Sequence, residues 1–234
     1  MELGHIFKME MYKNFLDKTY LIIIGIFTVL MTILSLFVFS EDFFFNLVRT
    51  QDTLPSLYVF LMILAVFTFL GLLVFAFLYP FHLLNLDYKN KVMSLMFASG
   101  VSRTKYYFVK IGATILSCYI VATIILLPLM LSTESARILQ FMGENIFAIV
   151  QWVVVMMVAI ILTKGSTSGL FLFIGLNLGI SIVQWIIISS LLPARSLISF
   201  VPVASEGWAV DWMSLITIAI FGFIGVFLLR RQDL

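Results

Sequence analysis

The chain has 234 residues, 62% of them hydrophobic and only 11% charged, with 24 phenylalanines and a net charge of +2. A soluble domain is nearer about half apolar and a quarter charged, so the surplus is expected to face lipid, which excludes a soluble enzyme. The basic residues form no separate basic domain, which gives nucleic acid no footing, and Cys118, the only cysteine, excludes an intrachain disulfide and a cysteine-rich metal site.

The chain opens with "MELGHIFKMEMYKNFLDKTY". This stretch lacks the form of a cleaved signal peptide, because the apolar run that follows continues past a signal-peptide core with no convincing cleavage context. Leu3, Ile6, Phe7, Met11, Phe15 and Leu16 recur near a helical period, with Lys8, Lys13, Asp17 and Lys18 mostly elsewhere. That pattern predicts an amphipathic interfacial helix over 1–18; a plain basic lead-in is the alternative.

Six uncharged intervals follow: Thr19–Ser40, Thr53–Leu86, Ile111–Thr133, Asn145–Thr163, Gly165–Ala194 and Trp212–Leu229. A span needs roughly 20 apolar residues. The expected fold is therefore an all-α membrane protein, one domain over 1–234, with spans at approximately 19–40, 57–84, 107–131, 145–163, 168–192 and 212–230. Runs such as "WVVVMMVAII" are apolar on all sides, whereas barrel strands alternate polar and apolar positions. Pro128 is placed to kink the third span.

An even number of spans puts both ends on one side. If that side is cytoplasmic, it holds Lys8, Lys13, Lys18, Lys89, Lys91, Arg103, Lys105, Lys110, Lys164, Arg230 and Arg231. The other side holds Arg49, Arg137 and Arg195. This bias predicts an N-in, C-in topology.

The connection between spans two and three, "NLDYKNKVMSLMFASGVSRTKYYFVK", is the most informative segment. It reads as a short helix, a Ser99-Gly100 break and a new helix capped by Ser102. A helix apolar on one side and charged on the other has something to dock against. Lipid is one answer and a cytoplasmic partner the other.

Here the chain resembles the membrane subunit of an ATP-binding-cassette exporter of the type 2 permease family. The features that carry the likeness are the basic lead-in with Glu10 and Lys13, the six spans, the segment "DYKNKVMSLMFASGVSRTKYYFVK" and the tail "FLLRRQDL". The resemblance implies that the helix around Tyr88–Ala98 is a cytoplasmic coupling helix seated in a groove of a separate ATPase. Asp87, Lys89, Lys91, Arg103 and Lys105 would make the electrostatic contacts, and Met93, Met96 and Phe97 the apolar anchors. Family members commonly carry Glu where Asp87 stands. ATP and Mg would be bound by the partner ATPase, and a second permease copy or a homologous permease would complete the assembly. Similar permeases often have a re-entrant hairpin before the last span; Pro193 and Pro202 within 193–211 suit one, and an ordinary external loop is the alternative.

The chain itself has no phosphate-binding loop, no H-E-x-x-H and no G-x-S-x-G, so no catalytic residue and no metal site are assigned. Every Asp and Glu falls in a tail, a loop or a span end, which argues against ion-coupled transport. Asn177, Ser181 and Gln184 share one face of span five beside Gly175 and Gly179 and are the candidates for a substrate path. The expected function is ATP-driven export of a hydrophobic or amphipathic cargo across a bacterial plasma membrane, a membrane-active peptide being preferred over a lipid or drug. The alternatives are a non-transporting immunity or scaffold protein that binds a toxic peptide or signalling partner, and a channel or secondary transporter.

Overall fold

A computed structural model describes residues 3–37, 55–132, 143, 146–191 and 207–232. Its described elements are helices: α1 (Leu3–Leu16), α2 (Lys18–Phe37), α3 (Pro55–Lys89), α4 (Val92–Ala98), α5 (Arg103–Ser132), α6 (Ile146–Thr163), α7 (Ser168–Leu191) and α8 (Gly207–Arg231). Six of them are long and apolar enough to cross a membrane, namely α2, α3 and α5 to α8. The chain is thus an all-α protein with six membrane-spanning helices, as its apolar runs predict.

Local chemistry explains where the helices begin and end. Asp17 separates α1 from α2, and its Oδ1 accepts the Thr19 backbone N–H at 3.0 Å, satisfying a first-turn donor. The turn after α4 is closed by two bonds, Val101 N–H to the Met96 carbonyl and Gly100 N–H to the Phe97 carbonyl. Gly100 has φ +87°, the left-handed conformation that this Schellman closure requires. Ser102 then caps α5, its Oγ accepting the Lys105 N–H at 3.3 Å. Both the glycine break and the serine cap match the reading of the sequence. The α6–α7 turn repeats the closure, with Lys164 at φ 50° and Gly165 at φ 74°, and Gly165 N–H bonded to the Ile160 carbonyl.

The described residues divide into two compact units, one of 1–8, 81–115 and 143–234, the other of 9–80 and 116–142. In the first, α6 is the core: Val153 to Ile161 are all buried, and α7 and α8 pack on it. Over half of its most apolar window (56%) is buried against 6% for that of α7, so α6 is central and α7 peripheral. In the second unit, Tyr20 of α2 lies 5.5 Å from Tyr79 and 6.2 Å from Phe75 of α3. Phe27 packs on Phe75 at 5.5 Å and closely approaches Gly71, where a methyl group would be crowded by its ring.

The lead-in is a helix, as expected, but its buried stripe is not the apolar one. Ile6, Glu10 and Asn14, spaced four apart, are the buried positions, while Met9 and Tyr12 are exposed. Glu10 pairs with Lys13 at 3.2 Å, and Asn14 Nδ2 donates to Ser117 Oγ at 2.9 Å. Hydrogen bonding thus sets the orientation of this half of α1, because a buried carboxylate or amide needs a partner more than an apolar side chain needs burial. Arg49, Arg137, Arg195, Pro193 and Pro202, and with the prolines the expected hairpin before α8, lie outside the described residues.

Candidate functional site

The last turn of α3, all of α4 and the first turns of α5 form a helical hairpin in the first unit. α3 does not stop where its apolar run stops. It continues through Asp87 and Tyr88 to Lys89, the turn at Asn90-Lys91 follows, and α4 starts at Val92. Lys91 occupies a left-handed conformation with φ 54° and ψ 21°.

Asp87 is fully buried, and so is Lys110 on α5, two helices further along the chain. The Lys110 Nζ stands 3.0 Å from Asp87 Oδ2, and the Tyr106 hydroxyl donates to the same oxygen. Tyr106 and Lys110 are four residues apart on α5, so one helical face delivers both donors. An unpaired buried charge costs far more than a solvated one, and here the carboxylate and ammonium neutralise each other while the phenol occupies a further lone pair.

α4 turns its apolar side inward and meets α5 through Phe97. Met93 and Met96 are buried. Phe97 meets the Tyr106 ring edge to face, with centroids 5.5 Å apart, and the Arg103 guanidinium lies 5.4 Å above Phe97. Leu95, in contrast, is 68% exposed, with Lys91, Ala98, Ser99, Ser102 and Lys105 exposed around the same hairpin.

The end of α8 closes the site. Arg103 Nη1 donates to the carbonyls of Leu229 and Arg230, each at 3.0 Å, and to that of Gln232. The last carbonyls of a helix lack intrahelical donors and carry the negative end of its dipole, so a guanidinium is suited to them. Arg230 in turn donates to Thr104 Oγ1. The Tyr88 hydroxyl donates to Gln232 Oε1 at 3.0 Å, and Gln232 Nε2 donates to the Ile161 carbonyl at 2.6 Å. The ends of α3, α6 and α8 and the start of α5 are therefore tied together.

The residues singled out in the sequence take distinct places here. Asp87 is at the centre, inside a helix rather than in a loop. Met93 and Met96 face inward, Phe97 and Arg103 are half-buried, and Lys91 and Lys105 face out. Lys89 is the last residue of α3. Sequence reasoning missed Tyr106, Lys110, Tyr88 and Gln232. In sequence Lys110 reads as a cytoplasmic-side cation entering span three, and the available signal for its pairing is its spacing of four from Tyr106 at the start of an apolar run, opposite the lone acid Asp87.

The second candidate set does not come together. Gln184 Nε2 reaches across helices to Gln151 Oε1 and Thr217 Oγ1, each at 3.3 Å. Asn177 instead bonds back to the Phe173 carbonyl of its own helix, and Ser181 is exposed. The polar junction is Gln151–Gln184–Thr217, one residue from each of α6, α7 and α8. Among the described residues, no group of three or more His, Cys, Asp or Glu is arranged to hold a metal ion.

Comparison of the chain with protein-family models, curated proteins and solved structures finds no match.

Proposed function

We propose that the chain is the membrane subunit of an ATP-driven exporter of hydrophobic or amphipathic cargo, with the α4 hairpin as the docking element for a separate ATPase. The observation that carries this reading is the division of α4 into two sides. Its inner side buries Met93 and Met96 and sets Phe97 against the Tyr106 ring of α5, while Leu95 stands exposed one turn after the exposed Lys91. An apolar tip one turn from a cation suits a groove with an apolar floor and an acidic rim. A push on α4 would reach α3 and α5 together, because Asp87 and Lys110 join those helices in the interior. In this reading α4 and both chain ends are cytoplasmic, ATP and Mg are held by the ATPase, and a second permease copy completes the assembly. The apolar, aromatic spans favour a membrane-active peptide as cargo.

The expected partner contacts then move from the Met93, Met96 and Phe97 side to the Leu95 side. Leu95→Glu, at an exposed position, should leave the thermal midpoint of the solubilised protein within about a degree or two while abolishing ATPase co-purification and lipid-dependent ATP turnover. Unchanged co-purification and turnover would remove the hairpin from the docking role. No ATPase bound by wild type under any condition would favour a protein that binds its target without transporting it.

A further inference from the structure

The first unit ends in a concentration of positive charge with no exposed acid among its described side chains. Lys8, Lys91, Lys105, Lys164, Arg230 and Arg231 are all exposed there. The described acidic side chain of this unit is Asp87, which is buried and spent on Lys110 and Tyr106. These cations belong to one end of the unit. Thr104, beside Lys105, bonds Arg230; Gly165, beside Lys164, abuts Asn85 and Tyr88; and Phe7, beside Lys8, faces Gly112, two turns along α5 from Lys105.

Three of the helices at this end carry an exposed phenyl group within about two turns of a cation in the sequence. Phe108 follows Lys105 by one turn and is 61% exposed, Phe227 precedes Arg231 by one turn and is 44% exposed, and Phe171 lies in the first turn of α7 after Lys164 and is 76% exposed. The Arg231 guanidinium lies 4.4 Å over the Phe227 ring. A charge at the helix end with an apolar ring one turn further into the span matches the layering of a phospholipid, headgroup outside and acyl chain within.

We propose that this end of the first unit selectively retains anionic phospholipid, with the phosphate-bearing headgroups neutralising the cation cluster. Juxtamembrane Lys and Arg residues attract an anionic surface additively, each worth roughly fivefold in association at moderate salt. A soluble acidic protein or a nucleic acid could satisfy the charge, but a phospholipid alone presents its anion and its acyl chain at the depths of the cation and of the ring beside it. Lipid retention does not depend on the exporter reading, and Lys8, Lys164 and Arg231 lie outside the α4 hairpin.

The test uses the full chain reconstituted in vesicles of equal phosphatidylglycerol and phosphatidylcholine, re-extracted in mild neutral detergent, with co-purifying lipid quantified by mass spectrometry. Wild type should hold phosphatidylglycerol several-fold over phosphatidylcholine, and a high-salt wash should reduce that ratio. The triple variant Lys8→Gln, Lys164→Gln, Arg231→Gln should return towards the input ratio, whereas Lys8→Arg, Lys164→Arg, Arg231→Lys should keep the enrichment. If the glutamine variant elutes as an aggregate, the salt series on wild type decides. Equal retention of both lipids by wild type, or enrichment indifferent to salt or to the folded glutamine variant, overturns the proposal. Loss of ATPase binding by that variant, with lipid retention unchanged, would assign the surface to a protein instead.

Discussion

Asp87 and Lys110 stand 3.0 Å apart with neither side chain reaching the surface, on the end of one span and the beginning of the next. Their pairing fixes the register of α3 against α5 on the two sides of the α4 hairpin. It also makes the hairpin a joint with a charged centre. An apolar contact can slide at modest cost, whereas separating a buried ion pair exposes two charges to a low-dielectric interior.

Lys110→Met should therefore destabilise the protein by about 3–5 kcal/mol, because it strands a buried carboxylate. Tyr106→Phe should cost less, about 1.5–3 kcal/mol, since it removes one hydrogen bond to that carboxylate and leaves the ring against Phe97. The double variant Asp87→Leu, Lys110→Met should recover most of the stability lost by Lys110→Met. Scanning fluorimetry in detergent checks all three. If the double variant is as stable as wild type but fails to support ATP turnover, the pair serves coupling more than folding. If the double variant is no better than the single one, packing around Lys110 matters more than its charge.

The fold is legible in the sequence wherever one physical requirement dominates. Hydrophobic length alone places the six spans, and the Gly100 turn and Ser102 cap follow from local backbone chemistry. The site is legible only in part because charge is a pairwise property. Asp87 and Lys110 look like ordinary charges at span ends until the chain folds and each removes the reason for the other to stay in water. For the same reason Met93 and Met96 read in sequence as partner anchors: a seven-residue helix does not say which of its sides is inner. Gln184 is recognisable as polar and within a span, but its partners Gln151 and Thr217 come from two other helices, which periodicity within α7 does not reveal. On α1, periodicity points to an apolar face, and the buried Glu10 and Asn14 override it through the partners they find.

Glycine positions give a stability test that separates conformational from packing effects. Gly165 has φ +74°, and a Cβ placed there would overlap the Tyr88 Cβ and Asn85 Oδ1. Gly165→Ala should therefore lose about 2–5 kcal/mol, combining roughly 1–2 for the left-handed backbone with about 1–3 for overpacking. At Gly175 an added methyl group would meet no neighbouring atom within 4 Å, so Gly175→Ala should be neutral or stabilise α7 by up to about 1 kcal/mol. Paired thermal melts decide the matter. Equal effects at the two sites would mean that the α6–α7 turn does not seat against the end of α3. A large loss at Gly175 would instead show that its open face is occupied in the membrane.

Arg103 offers the sharpest separation between a structural and a partner-facing role, because the sequence-based expectation puts it among the contacts to an ATPase whereas the structure finds it holding the end of α8. Its single nitrogen Nη1 reaches three carbonyls at the end of that helix, a fan of bonds that a lysine ammonium on a flexible stem reproduces poorly. Arg103→Lys keeps the charge at the helix terminus, which is worth about 0.3–1 kcal/mol on its own. Overall stability should therefore fall little, while amide exchange across 228–232 should accelerate several-fold. Arg103→Met removes charge and bonds alike and should accelerate exchange further, with a visible drop in the melting midpoint. Hydrogen–deuterium exchange by mass spectrometry resolves that segment. If Arg103→Lys instead leaves exchange at wild-type rates and weakens ATPase binding, the guanidinium spends its bonds on the partner rather than on α8, and the tie between the helix ends must be carried by Tyr88 and Gln232.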